Sequence, residues 1–579
     1  MSTTQPNGEP TESQRKGVEQ LVELLDATEG MEVVGEPSME QGGYACVIEL
    51  DTTGLDRACD GLKVNAREQV TLTFTDSYPH VPPEATVDHL RWLGFPHVMA
   101  GQQLCLFLDH FREWDPDGGA AAVLHRLWDW FAEAAAGRFD PRTSLHHGFG
   151  GVTTASRGNP MLVVRSAPDD LRPGIRSIAV AERSPRRMDL ISWSPRRTED
   201  HLPGLALVSA QPFRLGLPTT LRGILHALVS PVYGGWDLDY PTAGFPTVDL
   251  LRFRLEKLLA ELDPDEALVL LFAAPNLGVA GSGGFDLMAA RTTAGALAED
   301  LDASSNGSGQ LDFMRVDDAR PEVTTRRDDA RPTSWFHGRS VELWGCGALG
   351  SWIAELLVRS GVRRLHLRDF TNVTSGLLVR QNFLDEDIGT PKAEALASRL
   401  RGISPDVEIK ALGVAHEMFS DGLDDACELL IDATVSGPAA RLLDFVAPRV
   451  DPDLLIAQVA TDSTSATLGL VTCTHGGTIP SELDATVRDT VLGDPQLQAF
   501  RRLWDGDDEL LTPARGCSTP TFRGSAADVM GVASSLLSLL GGLCRGRQIG
   551  AQLIRLPHSP MSAPDRTWVQ GPAVTSALV

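Results

Sequence analysis

The sequence predicts a multidomain chain of α/β and α+β type, and three observations carry that expectation. Its 579 residues are 42% hydrophobic and 22% charged, the composition of a globular protein with several cores, and a length of roughly 150 residues per domain suggests about three or four domains. A strand, a glycine-rich turn and an amphipathic helix follow one another directly in SVELWGCGALGSWIAELLVRSG, from Ser340 to Gly361. The first 140 residues instead run from helical spacing to strand alternation and back to helical spacing.

Residues 1–11 are polar and hold proline and glycine, so a disordered start is expected. VEQLVELLDA, from Val18, repeats its apolar residues at helical spacing, and Ala45–Leu50 and Gln69–Phe74 alternate as strands do. YPHVPPEA cannot continue a central strand, because its three prolines lack the amide donor. Val123–Phe131 reads as an amphipathic helix, and the Gly/Ser/Thr-rich stretch near 143–160 closes a first domain of 12–145. A central mixed α/β linker domain, 150–330, holds the strand candidates MLVV, LALVSA and ALVLLFAA and the helical LLRFRLEKLLAEL. The polar 302–310 and charged 320–332 separate it from a third domain, 335–579. No repeat of solenoid or propeller period is present.

The net charge of −26 argues against nucleic-acid binding, which needs a basic surface, and against an anionic membrane surface. No stretch reaches 18 uninterrupted apolar residues, so no membrane span is expected. The opening residues lack the basic-then-apolar order of a signal peptide, and a cytoplasmic location is the expectation. The eight cysteines, at 46, 59, 105, 346, 427, 473, 517 and 544, form no CxxC pair, so a four-cysteine zinc site has no support. Isolated thiols in a reducing compartment are buried apolar residues or nucleophiles; Cys427 and Cys544 read as core.

In the glycine motif, Gly345, Gly347 and Gly350 permit a tight turn, backbone approach to phosphate and close helix–strand packing. The helix that follows offers free amides and a positive dipole end to an anion. A second strand, RRLHLRDF, ends with Asp369, placed for a ribose hydroxyl. Taken alone this is a Rossmann-like nucleotide site, which a nicotinamide oxidoreductase would also have, or a glycine turn with no ligand.

The residues after Asp369, TNVTSGLLVRQNFLDEDIGTPKAEALASRL, resemble the ThiF-type adenylating family, which includes ubiquitin-activating enzymes. Arg380, Gln381 and the GTPK ending in Lys392 match its Arg-Gln pair and Gly-x-Pro-Lys helix start, and the resemblance covers roughly Val341 to Asp432. It implies ATP as cofactor, with Asp369 on the ribose and Arg380 and Lys392 on the phosphates, where fixed cations stabilise the charge built up by carboxylate attack on the α-phosphorus. It also implies Mg2+. Two departures stand out. The family's second acid is Thr371 here, and the place of its magnesium-binding Asp is held by Val435. Asp432, three residues earlier, either takes over the metal or caps the following turn.

Cys517 lies in the Pro/Gly-rich LLTPARGCSTPTFRGSAADV, just before an apolar helix. Ubiquitin-activating enzymes carry a loop cysteine that takes the acyl group from the adenylate as a thioester, and Arg515 beside Cys517 would favour the thiolate. A small loop residue is the plainer reading.

The string YPHVPPEATV…FPHVMAGQQLCLF…EWDP resembles the ubiquitin-conjugating enzyme fold over about residues 12–140, an α+β unit. Tyr78, Pro79, Pro82 and Pro83 match its proline turn, Cys105 its cysteine and Trp114-Asp115-Pro116 its Trp-x-Pro. The family's oxyanion-stabilising asparagine is His97 here, which either donates a hydrogen bond in its place or holds the loop.

Together the resemblances imply a fusion that adenylates a partner protein's C-terminus, holds it as a thioester on Cys517 and then Cys105, and gives it to a target amine. The order of domains looks like bacterial fusions in cyclic-oligonucleotide anti-phage signalling operons, where the activated partner is a cyclic-nucleotide synthase; related systems use ubiquitin-like proteins. A homodimer follows by analogy. The competing readings are an adenylating enzyme for sulfur transfer or small-molecule biosynthesis with a docking domain, an oxidoreductase, and a non-catalytic scaffold.

Overall fold

The computed structural model describes residues 9–139 and 159–571, apart from 41, 60, 90, 93, 94, 96, 99–101, 168–171, 195–200, 210–247, 276–284, 302–310, 325–327, 414–422, 424, 425, 435 and 506–523. The chain divides into two compact units, Met1–Thr324 and Thr325–Val579.

The first unit opens with α1 (Glu12–Asp26), whose Val18, Leu21 and Leu25 are buried at helical spacing. Thr11 starts it with a capping box: its hydroxyl accepts the Gln14 amide at 3.2 Å, and the Gln14 side chain accepts the Thr11 amide at 2.8 Å. An antiparallel sheet follows, made of β1 (Met31–Val33), β2 (Ser38–Glu40), β3 (Gly43–Asp51), β4 (Arg67–Phe74), β5 (Glu84–Thr86) and β6 (Gln103–Leu104), in the order β1-β3-β4-β5-β6 with β2 on β3. Val70, Leu72 and Phe74 alternate inward along β4 and are fully buried. The prolines fill the connection to β5, which resumes pairing only after Pro83. A short helix, α2 (His110–Glu113), leads to α3 (Gly119–Ala135), which packs Val123, Leu127 and Phe131 into the same core as Val18 and Leu72.

A second sheet has eight strands: β7 (Met161–Val164), β8 (Gly174–Ser184), β9 (Arg187–Ser192), β10 (Leu202–Val208), β11 (Ala267–Pro275), β12 (Phe285–Thr293), β13 (Asp312–Met314) and β14 (Val316–Asp318). Their order is β13-β12-β11-β10-β8-β9-β7-β14. The apolar run Leu268–Ala273 of β11 is buried on both faces. Leu255 and Leu259 of α4 (Val248–Leu259) and Leu297 and Leu301 of α5 (Ala294–Leu301) cover one face.

The second unit is a sheet of β15 (Ser340–Trp344), β16 (Arg364–Arg368), β17 (Glu408–Leu412), β18 (Leu429–Asp432), β19 (Leu455–Thr461), β20 (Leu468–His475), β21 (Gly550–Arg555) and β22 (Asp565–Gln570), ordered β17-β16-β15-β18-β19-β20-β21-β22. The first five strands in this order are parallel and the rest antiparallel. Among the described residues five α-helices accompany it: α6 (Ala348–Arg359), α7 (Lys392–Ile403), α8 (Gly437–Val446), α9 (Pro480–Gly493) and α10 (Ala526–Gly546). Ile353 and Leu357 of α6 and Val532, Leu536 and Leu540 of α10 share a core with Leu343 and Leu367, while Leu443 and Val446 of α8 pack on the other face against Trp344 and Ile456. Such a parallel sheet places strand C-termini, and any ligand crevice, along one edge. Among the described residues α10 alone has the length and apolar composition to cross a membrane. Serines and glycines interrupt its sequence, so the uninterrupted-run criterion passes over it, and its buried face belongs to the core of this sheet.

Candidate functional site

The chain leaves β15 at Trp344 and turns through Gly345, whose φ of +87° favours glycine. A Cβ on Gly350 would stand 1.9 Å from the Gly345 carbonyl oxygen, so only glycine lets α6 seat on the turn. Gly347 differs: nothing lies within 4 Å of where its Cβ would be. It is also the N-cap of α6, with no side-chain cap and no acid in the first turn. The amides at this helix start are therefore open on the side where an anion would approach.

Asp369 fastens the turn to the end of β16. One carboxylate oxygen accepts the Cys346 amide at 2.8 Å, and the other accepts the Thr371 amide at 2.8 Å and hydroxyl at 2.6 Å. The oxygen with a single donor keeps a lone pair suited to a ribose hydroxyl. Cys346 is wholly buried. Burial pushes its thiol well above the ordinary range, with the Asp369 charge adding to the shift and Lys392 opposing it, so it is not a nucleophile.

Arg380 and Gln381 are braced against α6. Trp352 donates its indole N–H to the Arg380 carbonyl at 3.1 Å, and the Asn382 amide donates to Ser351 at 3.2 Å. The Asn382 side chain donates to Glu355, which Arg359 and Arg399 also hold at 2.9 and 3.1 Å. Burial raises the Glu355 carboxyl, but these three donors outweigh it and leave the group below its usual value. The buried Gln381 Oε1 has no hydrogen-bond partner.

Lys392 opens α7, and its amide donates to the Thr371 carbonyl at 2.9 Å, which ties this helix start to the segment after Asp369. Its side chain is only 9% exposed. Among the described residues no hydrogen bond or ion pair reaches its ammonium. Arg368 offers a contrast at the end of β16: it is 4% exposed, and its Nε donates to Glu342 Oε1 at 2.7 Å. A buried cation without a partner is costly, and a bound anion would supply what Lys392 lacks.

Asp432 ends β18 in register with Trp344 and Gln458. One oxygen accepts the Thr434 amide at 3.0 Å and hydroxyl at 2.6 Å; the other lies 3.5 Å from Gln458 Nε2. Burial raises its pKa. Of the two readings of Asp432, this geometry is that of the residue closing the turn. A magnesium ion asks for open, ionised oxygens. The described residues do not fit one held by the protein: Asp432 is buried and spends an oxygen on Thr434, and Asp369 already takes three donors.

In the first unit, Cys105 follows β6 and is 8% exposed. Burial, with the nearby Glu113 charge second, pushes its thiol up to about 11. The Sγ lies 3.5 Å from the Phe107 carbonyl. The Cys105 amide donates to the His97 carbonyl at 2.9 Å, and His97 itself has a φ of +60°. The buried His97 ring stands 4.7 Å from the Phe139 ring, centroid to centroid. The His97 backbone thus meets the cysteine segment directly. Trp114 donates to the Pro79 carbonyl at 2.7 Å and joins the proline turn to the segment after the cysteine. Cys517 and Arg515 lie outside the described residues.

The second unit therefore brings Gly345, Gly347, Gly350, Asp369 and Lys392 to one strand edge, with Arg380 and Gln381 braced on α6. Sequence reasoning missed the brace of Ser351, Trp352, Glu355 and Asn382. A signal was present: Glu355 is an acid inside the apolar helix SWIAELLV, four residues after Ser351 and so on the same face.

The profile of the ThiF family matches residues 336–475, and that of prokaryotic E2 family A matches residues 20–151. The sulfur carrier protein ThiS adenylyltransferase of Escherichia coli is 30% identical over 210 residues, which span 35% of this chain and 72% of that protein. The chain belongs to the ThiF family. Here the ThiF domain is fused behind the E2 family A match. The ATP-dependent ubiquitin transferase-like protein Cap2 of Vibrio cholerae is 28% identical over 302 residues, covering 48% of this chain and 50% of the relative. The tRNA threonylcarbamoyladenosine dehydratase 2 of Saccharomyces cerevisiae is 42% identical over 70 residues, 12% of this chain and 16% of that one. Several curated relatives of this ThiF chain are thus matched over half their length or less.

Proposed function

We propose that this chain is an ATP-dependent ubiquitin-like conjugation enzyme. The observation that carries the reading is Lys392: a nearly buried ammonium, without a partner among the described residues, beside an open glycine turn asks for a phosphate. ATP binds with its ribose on Asp369 and its phosphates toward Gly347, Arg380 and Lys392. The C-terminal carboxylate of a partner protein attacks the α-phosphorus and expels pyrophosphate. The Cys517 thiolate attacks the acyl carbon and releases AMP, and the Cys105 thiol takes the acyl group by exchange. A target amine then displaces Cys105 and forms an amide.

The Cys105 surroundings suit the second thioester. They penalise a thiolate but not an uncharged ester, so an acyl group on the Cys105 sulfur meets no burial penalty of that kind. His97 shapes the loop before the cysteine. The names of the Vibrio Cap2 relative and of the ThiS adenylyltransferase support transfer and adenylylation chemistry respectively. Within this reading the partner is a cyclic-nucleotide synthase or a ubiquitin-like protein, the setting is cytoplasmic anti-phage defence, and the enzyme works as a homodimer. Magnesium enters as the counter-ion of the nucleotide.

The test is ATP–pyrophosphate exchange driven by proteins from neighbouring genes. Exchange that requires the partner's terminal carboxylate and vanishes in Lys392→Ala is expected. No exchange with any partner, together with nicotinamide cofactor binding, would replace the reading with an oxidoreductase. A second reading, adenylation for sulfur transfer, is favoured by the ThiS adenylyltransferase similarity and by the buried Cys105. It predicts full activity in Cys105→Ala.

A further inference from the structure

We propose that this nucleotide site neutralises phosphate with the chain's own cations and, among the described residues, offers no carboxylate to a divalent ion, so that nucleotide affinity does not depend on such an ion. The inference rests on reading the glycine turn as a nucleotide site. The strand ends that border the turn present two acids, and both serve the backbone. Asp369 accepts three hydrogen bonds, from Cys346 and Thr371. Asp432 is 4% exposed and accepts two at one oxygen, from Thr434. Each acid is followed two residues later by a threonine whose amide and hydroxyl both donate back to it, so the same closed turn is built twice at one sheet edge.

A carboxylate committed in this way can shape a loop, but it is a poor cation ligand: Asp432 is buried, and the Asp369 oxygen that keeps a lone pair is the one placed for the ribose. Lys392 is nine-tenths buried with no partner among the described residues, and the start of α6 carries neither a side-chain cap nor an acid. Phosphate oxygens would meet ammonium and backbone amides directly, where a metal-bridged site would set an ion between phosphate and acid.

Isothermal titration of the full-length chain with ATP, once in magnesium chloride and once in EDTA, tests this. The two dissociation constants are expected to agree within about threefold, and Lys392→Met should weaken both by about tenfold or more. Binding at least about tenfold tighter with magnesium would overturn the proposal, and Asp432→Asn would then show whether Asp432 is the ligand. If a folded chain, judged by its thermal melt, binds ATP in neither condition, the nucleotide reading itself falls, an outcome distinct from metal dependence.

Discussion

Two buried polar groups, one in each unit, sit in surroundings of opposite sign. Cys105 in the first unit is buried, with the Phe107 carbonyl against its sulfur and Glu113 nearby, and burial and that charge both resist a negative charge on it. Lys392 in the second unit is enclosed beside open helix amides, and the neighbouring acids are turned toward backbone donors. The first environment disfavours the thiolate and, in the proposed function, suits an uncharged ester; the second, in that same reading, is completed by an anion. Burial therefore does different work in the two places. It suppresses ionisation at the thiol, and at the lysine it leaves a polar group that a bound anion would satisfy.

The comparison can be broken most decisively at Cys105. With a thiol at about 11, the thiolate fraction at pH 8 is on the order of one in a thousand. Iodoacetamide labelling followed by mass spectrometry should therefore accelerate about tenfold per pH unit without levelling off below pH 10. A plateau below pH 9 would contradict this burial. Glu113→Gln should speed labelling modestly, because the acid is the lesser of the two causes.

The glycine turn offers the next largest contrast. Gly350→Ala forces a Cβ to within 1.9 Å of a carbonyl oxygen and should cost more than about 2 kcal/mol in urea unfolding of the second unit. Gly347→Ala meets open space; it should change stability by less than about 0.5 kcal/mol yet weaken ATP binding about tenfold. Equal effects of both substitutions on stability would mean that the open side of the turn is not open.

Asp432→Asn should show the smallest effect, within about 1 kcal/mol at neutral pH, because asparagine can still accept the two Thr434 hydrogen bonds. Its pH dependence carries a sign. Burial raises the folded-state pKa of Asp432, so the native chain binds this proton more tightly than the unfolded chain does. The contribution to stability is present below the ordinary value and lost as pH rises through the folded one, so the advantage of wild type over Asn should shrink from about pH 4 to pH 7. A growing advantage would mean that the acid is stabilised as an ion, as at a metal site.

How much of this was legible depended on range. VEQLVELLDA and QVTLTF announced their elements because local periodicity reflects which face is buried, and ALVLLFAA did so as a short apolar run buried on both faces. The glycine turn was equally plain, since three glycines between a strand and a helix serve a local geometry. The isolation of Lys392 was not legible, because a missing partner is a property of everything packed around it. The burial of Cys105 is hidden for the same reason. His97 lies between these cases: its positive φ is one that histidine tolerates better than most residues, but a backbone carbonyl meeting the Cys105 amide leaves no trace in composition. The Thr371 and Thr434 turns follow a local pattern, an acid with a threonine two residues on, that can be read from sequence once it is sought.

The central claim is that the Lys392 site loads an acyl group that ends on Cys105. It is tested most directly by purifying the chain carrying Cys105→Ser from cells with its native operon and measuring its intact mass. The account predicts a hydroxylamine-sensitive adduct of a polypeptide joined through its C-terminus, absent when Lys392→Ala is added. A chain that hydrolyses ATP in the presence of its partner, yet never carries such an adduct, would contradict it.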